Sequence, residues 1–409
     1  MYKPLQKIYF PPVSRPSLGV LGVKEIGHRV CMGVGAALVL FLAGCSSQVP
    51  IAGAIATDAD LQGTQGVMYV GGKYRGDANG GVSGQAYVFY QIPKDYRPGR
   101  NGKWPIIMVH GSEQTGSNYL GTPDGRPGWA WYFFNKGWPV YVIDQPGKGK
   151  SGYFPESYGP QARSPQLARV QALFTAPELS QPLAWPEASL HTQWPGGAGS
   201  GKPGNEAFDQ FMASQVANMP EYRQALSLTT IAVGQLLQKI GPAILMTHSM
   251  TGPVSWTVPQ ANPGKVKAVI AIEPTGNSGL RGNAAPASPC GLTDDCLAFS
   301  PPLNSAAELG LTKTPSPISG LQSCWLQKSP VRKLTGLDGI PILIATGEAS
   351  YHAQYDHCTG EFLTQAGVPN TWINLASVGI KGNGHMQMLE MNSLEIARFY
   401  ETWLTKSLR

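Results

Sequence analysis

The chain has 409 residues, of which 42% are hydrophobic and only 14% charged. A sizeable core is therefore available, and wholesale disorder is excluded. Of the 31 Lys/Arg, five precede Cys45, as does one of the 25 Asp/Glu, so the remainder carries a net charge of only +2. That balance offers no clustered basic face for nucleic acid.

Taken from the N-terminus, a basic stretch with Lys24 and Arg29 leads into an apolar run from Val34 to Leu42. The run is too short for an ordinary bilayer-spanning helix and has the charge-then-apolar order of an export signal. It ends Leu42-Ala43-Gly44-Cys45. Residues 1–45 are thus expected to be a signal, and 46–64, small and polar without a period, a flexible tether. Residues 65–409 remain for the folded domain.

Early strands are predicted at Val67–Val70 and Gln85–Ile92. The pattern then changes. Apolar runs at Ile106–Val109, Val140–Ile143, Ala243–Met246, Val266–Ile272, Ile340–Ala345 and Trp372–Leu375 alternate with helical stretches. Runs apolar at successive positions fit strands buried on both faces, and their alternation with helices predicts an α/β fold with a mainly parallel central sheet flanked by helices. Helices are expected near Trp129–Asn135, Tyr222–Lys239, Pro253–Gln260, Gln354–Gln365 and Met388–Lys406. A Pro/Gly-rich insertion at about 152–220, carrying Trp185 and Trp194, reads as a cap region over the C-terminal edge of the sheet, where open α/β sheets bind ligands. A second loop-rich insertion spans about 276–335.

Chemistry concentrates at Leu245-Met246-Thr247-His248-Ser249-Met250-Thr251-Gly252. A strand runs into Ser249 and a helix starts beyond Gly252, the layout of a nucleophile elbow. Thr247 and Thr251 occupy the positions that usually carry glycine. A serine hydroxyl needs a base, and Gly382-Asn383-Gly384-His385 supplies a histidine after the last strand. Two carboxylates, Glu273 and Glu348, end successive strands and could orient the imidazole; spacing does not choose between them. The loop Val109-His110-Gly111-Ser112-Glu113 could supply a main-chain N–H from Ser112 to pair with that of Met250 as an oxyanion hole, with His110 in a structural role.

Several segments in order resemble bacterial α/β-hydrolase esterases. They are Tyr69-Val70-Gly71-Gly72, Val109-His110-Gly111, Thr122-Pro123-Asp124-Gly125-Arg126 with Gly128-Trp129, and Tyr141-Val142-Ile143-Asp144-Gln145. The series continues with His248-Ser249 and Gly252, Glu273-Pro274, and Gly382-Asn383 with His385-Met386. Together they cover most of 66–405. The resemblance implies the α/β-hydrolase fold, ester hydrolysis, and Ser249, Glu273 and His385 as the catalytic set. A member of this family carries adjacent cysteines where this chain has Ser112-Glu113, and a carboxylate there could repel an oxyanion. The Leu-Ala-Gly-Cys ending likewise resembles a bacterial lipoprotein box and implies a lipid on Cys45 that tethers the chain to a membrane.

Four cysteines remain beyond the signal (Cys290, Cys296, Cys324 and Cys358) and allow three pairings. Pairing of Cys290 with Cys296 and of Cys324 with Cys358 is expected. Gly196–Lys202 imitates a phosphate loop, but Pro203 replaces its hydroxyl residue. Gly147-Lys148-Gly149-Lys150-Ser151 reads as a loop of the fold. His352, Asp356, His357 and Cys358 match no standard metal spacing. No cofactor or metal is expected. The expected partner is a small ester, aromatic or bulky and apolar if Trp185 and Trp194 face it. The same fold could instead act on amide, lactone or C–C bonds, or bind a ligand without catalysis.

Overall fold

The computed structural model describes residues 63–76, 80–279 and 286–409. The expected signal with Cys45 lies outside these residues. So does the expected tether, apart from Gly63 and Thr64, which already belong to the first strand.

Eight strands build the central sheet: β1 (Gly63–Tyr74), β2 (Val82–Pro93), β3 (Ile106–Val109), β4 (Val140–Asp144), β5 (Ala243–His248), β6 (Val266–Ile272), β7 (Ile342–Thr346) and β8 (Thr371–Asn374). Their spatial order is β1-β2-β4-β3-β5-β6-β7-β8. The pairs β1/β2 and β2/β4 are antiparallel, and every later pair is parallel. Each apolar run of the sequence becomes one of these strands. The early hairpin is longer than expected, because Gly71, Gly72 and polar residues alternate at a partly solvated edge and weaken the hydrophobic signal.

The residues of β3 and β5 are all buried. Side chains alternate across the sheet. Ile107, Val109 and Leu245 enter one core with Val233, Leu237 and Trp256. Ile106, Met108, Ile244 and Met246 enter the other with Trp129, Phe133 and Tyr400. These helical residues lie on α1 (Trp129–Asn135), α3 (Tyr222–Ile240), α4 (Val254–Ala261) and α6 (Ser393–Ser407). Helix α6 is fixed to α1, since Trp129 Nε1 donates to the Ser393 carbonyl at 2.8 Å. It starts at Ser393 and not near Met388, because the preceding residues are used to shape the His385 loop. Similarly α5 (His357–Gln365) starts late, after a separate short turn at Tyr351–Gln354.

Residues 152–220 form short helical turns and one regular helix, α2 (Glu206–Ser214). The sequence reading missed α2. Its signal was the Asn205 cap, whose side chain accepts the Phe208 N–H at 3.0 Å. The second insertion holds two short antiparallel pairs, Phe299–Ser300 with Lys333–Leu334 and Thr312–Thr314 with Cys324–Leu326. Disulfides join Cys290 to Cys296 and Cys324 to Cys358. Among the described residues no helix is long and apolar enough to cross a membrane.

Candidate active site

Because β3, β5, β6 and β7 run parallel, the turns that follow them meet at one edge of the sheet. Ser249 follows β5 directly, with φ 54°. A non-glycine residue in this region carries strain of about 1–3 kcal/mol, which surrounding structure must hold. The flanking threonines contribute to that hold. Thr251 Oγ1 donates to the His248 carbonyl at 2.9 Å and accepts the His248 N–H at 3.2 Å. Thr247 Oγ1 and Ser255 Oγ are 2.6 Å apart. The need for glycine has moved to neighbouring positions. A Cβ at Gly111 would lie 3.0 Å from Ser249 Cβ and 2.9 Å from His248 Nδ1, and one at Gly252 would lie 2.6 Å from Pro274 Cβ.

His385 Nε2 stands 2.9 Å from Ser249 Oγ, and its Nδ1 is hydrogen-bonded to Glu273 Oε2. Glu273 ends β6 with φ 45° and is wholly buried. Its carboxylate accepts the Gly347 N–H at 2.7 Å, the Ser350 hydroxyl at 2.5 Å and Gln387 Nε2 at 3.0 Å. Burial pushes the Glu273 carboxyl above its usual range, against the pull of His352 and these donors. Burial likewise drives His385 well below the ordinary histidine value, with the charges of His352 and Arg169 adding to it. The imidazole is therefore neutral at rest, as a general base must be. Glu348 lies elsewhere: its Oε2 accepts the Gly382 N–H at 2.7 Å and so anchors the loop that carries His385.

That loop has a second anchor. Glu390 accepts the Gly384 N–H at 2.8 Å and Asn383 Nδ2 at 2.6 Å. His191, from the 152–220 segment, stands between Glu390 and Glu178 at 2.9 Å from each. Burial opposes its charge, but the two carboxylates outweigh that and raise it to about 9.

Met250 follows Ser249 in the turn after β5, and Ser112 lies on the loop after β3, beside Gly111, where a Cβ would come within 3.0 Å of Ser249 Cβ. Among the described residues neither N–H meets a hydrogen-bond acceptor. Asn218 braces this loop, donating to Ser112 Oγ at 2.8 Å and accepting the Glu113 N–H at 3.0 Å. Lys148 Nζ donates to Asn218 Oδ1 at 2.6 Å. Burial lowers that lysine to about 7, with Glu113 pulling the other way. His110 is buried and accepts the Gln145 N–H on Nε2 at 3.1 Å, which is a structural position. The Glu113 carboxylate, suspected of repelling an oxyanion, is paired with Arg169 at 2.8 Å.

Aromatic groups close the site. Phe174 stacks on His385 at 5.2 Å, and the Tyr351 ring lies 4.7 Å from it. Trp185 donates to the Ala349 carbonyl at 3.0 Å and meets the Tyr351 ring edge-on at 5.9 Å. Trp194 packs on Phe211 away from the reacting groups. Ser249 is only 7% exposed. The sequence reading gave Lys148, Phe174, Asn218, Tyr351 and His352 no place at this site; His352 was weighed only as a metal ligand. Lys148 sat in the Gly-Lys-Gly-Lys-Ser run dismissed as a loop.

Cys324, His357 and Cys358 also converge, but both sulfurs are joined to each other. His352 Nδ1 is 2.7 Å from Asp356 Oδ1, and its ring stacks on His385 at 5.0 Å.

In comparisons with known proteins, no family model matches the chain. A fungal protein named "Probable secreted lipase phiG", from Fungal sp. (strain ATCC 74256), is 38% identical over 342 residues, covering 83% of this chain and 89% of that one. The chain belongs to the α/β-hydrolase family of esterases and lipases. A solved bacterial esterase, described as novel, shares the fold with a TM-score of 0.54 and 22% identity, over 87% of this chain and 99% of its own. For this α/β-hydrolase, carboxylic-ester hydrolysis is the activity the family membership carries.

Proposed function

We propose that this hydrolase cleaves carboxylic esters through Ser249, His385 and Glu273 and a covalent acyl-enzyme. The observation that carries the reading is the continuous chain of hydrogen bonds from Ser249 Oγ through His385 to the buried Glu273. His385 Nε2 takes the serine proton as Oγ attacks the carbonyl carbon. Glu273 accepts from Nδ1–H and stabilises the imidazolium that forms. The N–H groups of Ser112 and Met250 receive the developing oxyanion. Expulsion of the alcohol leaves an acyl-serine, which water releases by the same route.

The 152–220 segment acts as a cap. Phe174, Trp185 and Tyr351 form an aromatic surface beside the reacting groups, which supports apolar or aromatic acyl chains as substrates. The relative's name, a secreted lipase, agrees with both the apolar substrate and export. The signal ending at Cys45 supports a lipid-anchored product in the cell envelope, which metabolic labelling with a fatty acid and a C45S control would test.

The decisive experiment is fluorophosphonate labelling with peptide mapping, together with Ser249→Ala. Label should fall on Ser249, and the variant should lose about a thousandfold or more of its turnover of p-nitrophenyl esters. Near-normal turnover by the variant would end the assignment.

A further inference from the structure

Ser249, His385 and Glu273 are not the only groups within reach of the reacting atoms. Tyr351 opens the short turn after β7, immediately beyond Ser350, whose hydroxyl holds Glu273. Its phenol oxygen lies 3.2 Å from His385 Nε2, the nitrogen that faces Ser249. That nitrogen is itself 2.9 Å from Ser249 Oγ, so the phenol stands beside the proposed nucleophile. Trp185, His352 and His385 pack against its ring and fix its direction.

The chemistry of acyl transfer gives this location a meaning. In the breakdown of the tetrahedral intermediate, His385 Nε2–H must deliver its proton to the departing alcohol oxygen. That oxygen therefore sits within hydrogen-bond reach of Nε2. A donor already within reach of that nitrogen is placed to meet the leaving oxygen. We propose that Tyr351 is a catalytic residue that donates a hydrogen bond to the leaving alcohol oxygen as negative charge grows on it, an assignment that rests on Ser249 being the nucleophile. At rest the phenol hydroxyl is hydrogen-bonded to His385 Nε2. During acylation the Oγ–acyl carbon bond forms and the bond from that carbon to the alcohol oxygen breaks. The serine proton passes by way of Nε2 to the alcohol, and Tyr351 keeps its own proton. Burial holds the phenol well above its usual range, so it acts only as a neutral donor.

Such a donor matters most when the leaving oxygen is basic. A p-nitrophenolate needs little help, whereas an alkoxide needs much. Tyr351→Phe keeps the ring and its packing and removes only the hydroxyl. The test is kcat/KM for wild type and Y351F over esters of one acyl group with alcohols ranging from p-nitrophenol to simple alkyl alcohols. The expected result is a loss of less than about threefold on the p-nitrophenyl ester and of about thirtyfold or more on alkyl esters, in line with the removal of one transition-state donor. The dependence on leaving-group basicity then steepens. An equal loss across the series would make Tyr351 a packing residue, and no loss at all would remove it from the reaction. Melting temperatures of both proteins exclude a folding defect as the cause. Fluorophosphonate labelling of the same samples separates the two ideas. Label on Ser249 with a flat profile overturns only the tyrosine assignment, and absence of label on wild-type Ser249 overturns the nucleophile as well.

Discussion

Arg169 Nη1 lies 2.8 Å from Glu113 Oε2, so a side chain of the 152–220 segment neutralises the carboxylate next to the oxyanion loop. Arg169 is also a cation near His385 and contributes to holding its proton affinity down. The Arg169 side chain is 45% exposed, so solvent screens the pair and its direct contribution to stability is below about 1 kcal/mol. Its expected effect is on the proposed reaction at Ser249 and His385. Arg169→Ala should lower kcat/KM on neutral esters by about three- to tenfold and move the acid limb of the pH profile upward. Adding Glu113→Gln should restore most of the rate. Kinetics of the two single variants and the double variant measure this coupling.

The two acids at the strand ends make separable predictions. Glu273 contacts the imidazole and Glu348 contacts the main chain of the His385 loop. Glu273→Gln should reduce kcat by about a thousandfold or more, because the amide cannot stabilise the imidazolium. Glu348→Gln keeps an acceptor for Gly382 and should cost less than tenfold. Steady-state turnover of one ester by both variants decides; the reverse ranking would move the acid to the later strand.

The pH dependence has two sources. His385 must be neutral to act as base, and burial holds it well below the ordinary histidine range. Activity should therefore persist below pH about 6.5 before its acid limb appears. His191 is shifted the other way, to about 9, by Glu178 and Glu390, although burial opposes its charge. Its proton is held more tightly in the folded state. The stabilisation is complete below pH about 6.5 and disappears as pH rises through about 9, a loss on the order of 3 kcal/mol. Thermal melts from pH 6 to 10 should show this decline, and His191→Gln should be less stable at pH 6 while losing the decline.

Gly111 has no room for a side chain, with His248 and Ser249 both within 3.0 Å of a Cβ built there. Gly111→Ala should push the oxyanion loop away from Ser249. A fall in kcat of about a hundredfold with little change in KM is expected, matching the loss of an oxyanion donor. Stopped-flow acylation rates would check it.

Much of the fold was legible because the central strands are apolar on both faces, a pattern that needs no partner to be recognised. Ile106–Val109 and Val266–Ile272 begin and end where the apolar runs do. That Ser249 and His385 would meet was legible for a related reason: each sits where a strand or the last loop must end near the sheet edge. Spacing alone left Glu273 and Glu348 open, because both follow strands; the resemblance favoured Glu273, which is the one hydrogen-bonded to His385. Lys148, Asn218 and Tyr351 were hidden because their roles arise from segments distant in the chain meeting under or beside one loop. In the 152–220 segment only α2 carries a helical period, in Ala207, Phe208 and Phe211, and the rest is Pro/Gly-rich turns without one.

The bridge between Cys324 and Cys358 spans 34 positions. Within that span lie β7 and Gly347, Ser350, Tyr351, His352 and Asp356, the residues that surround Glu273 and one face of His385. Closing a loop of this length restricts the unfolded chain by about 4 kcal/mol. The residues around Glu273 and one face of His385 are therefore secured by a bond formed by oxidation after synthesis. Protein made in a reducing cytosol would lack that tie, and its specific activity would depend on the compartment in which the chain matured.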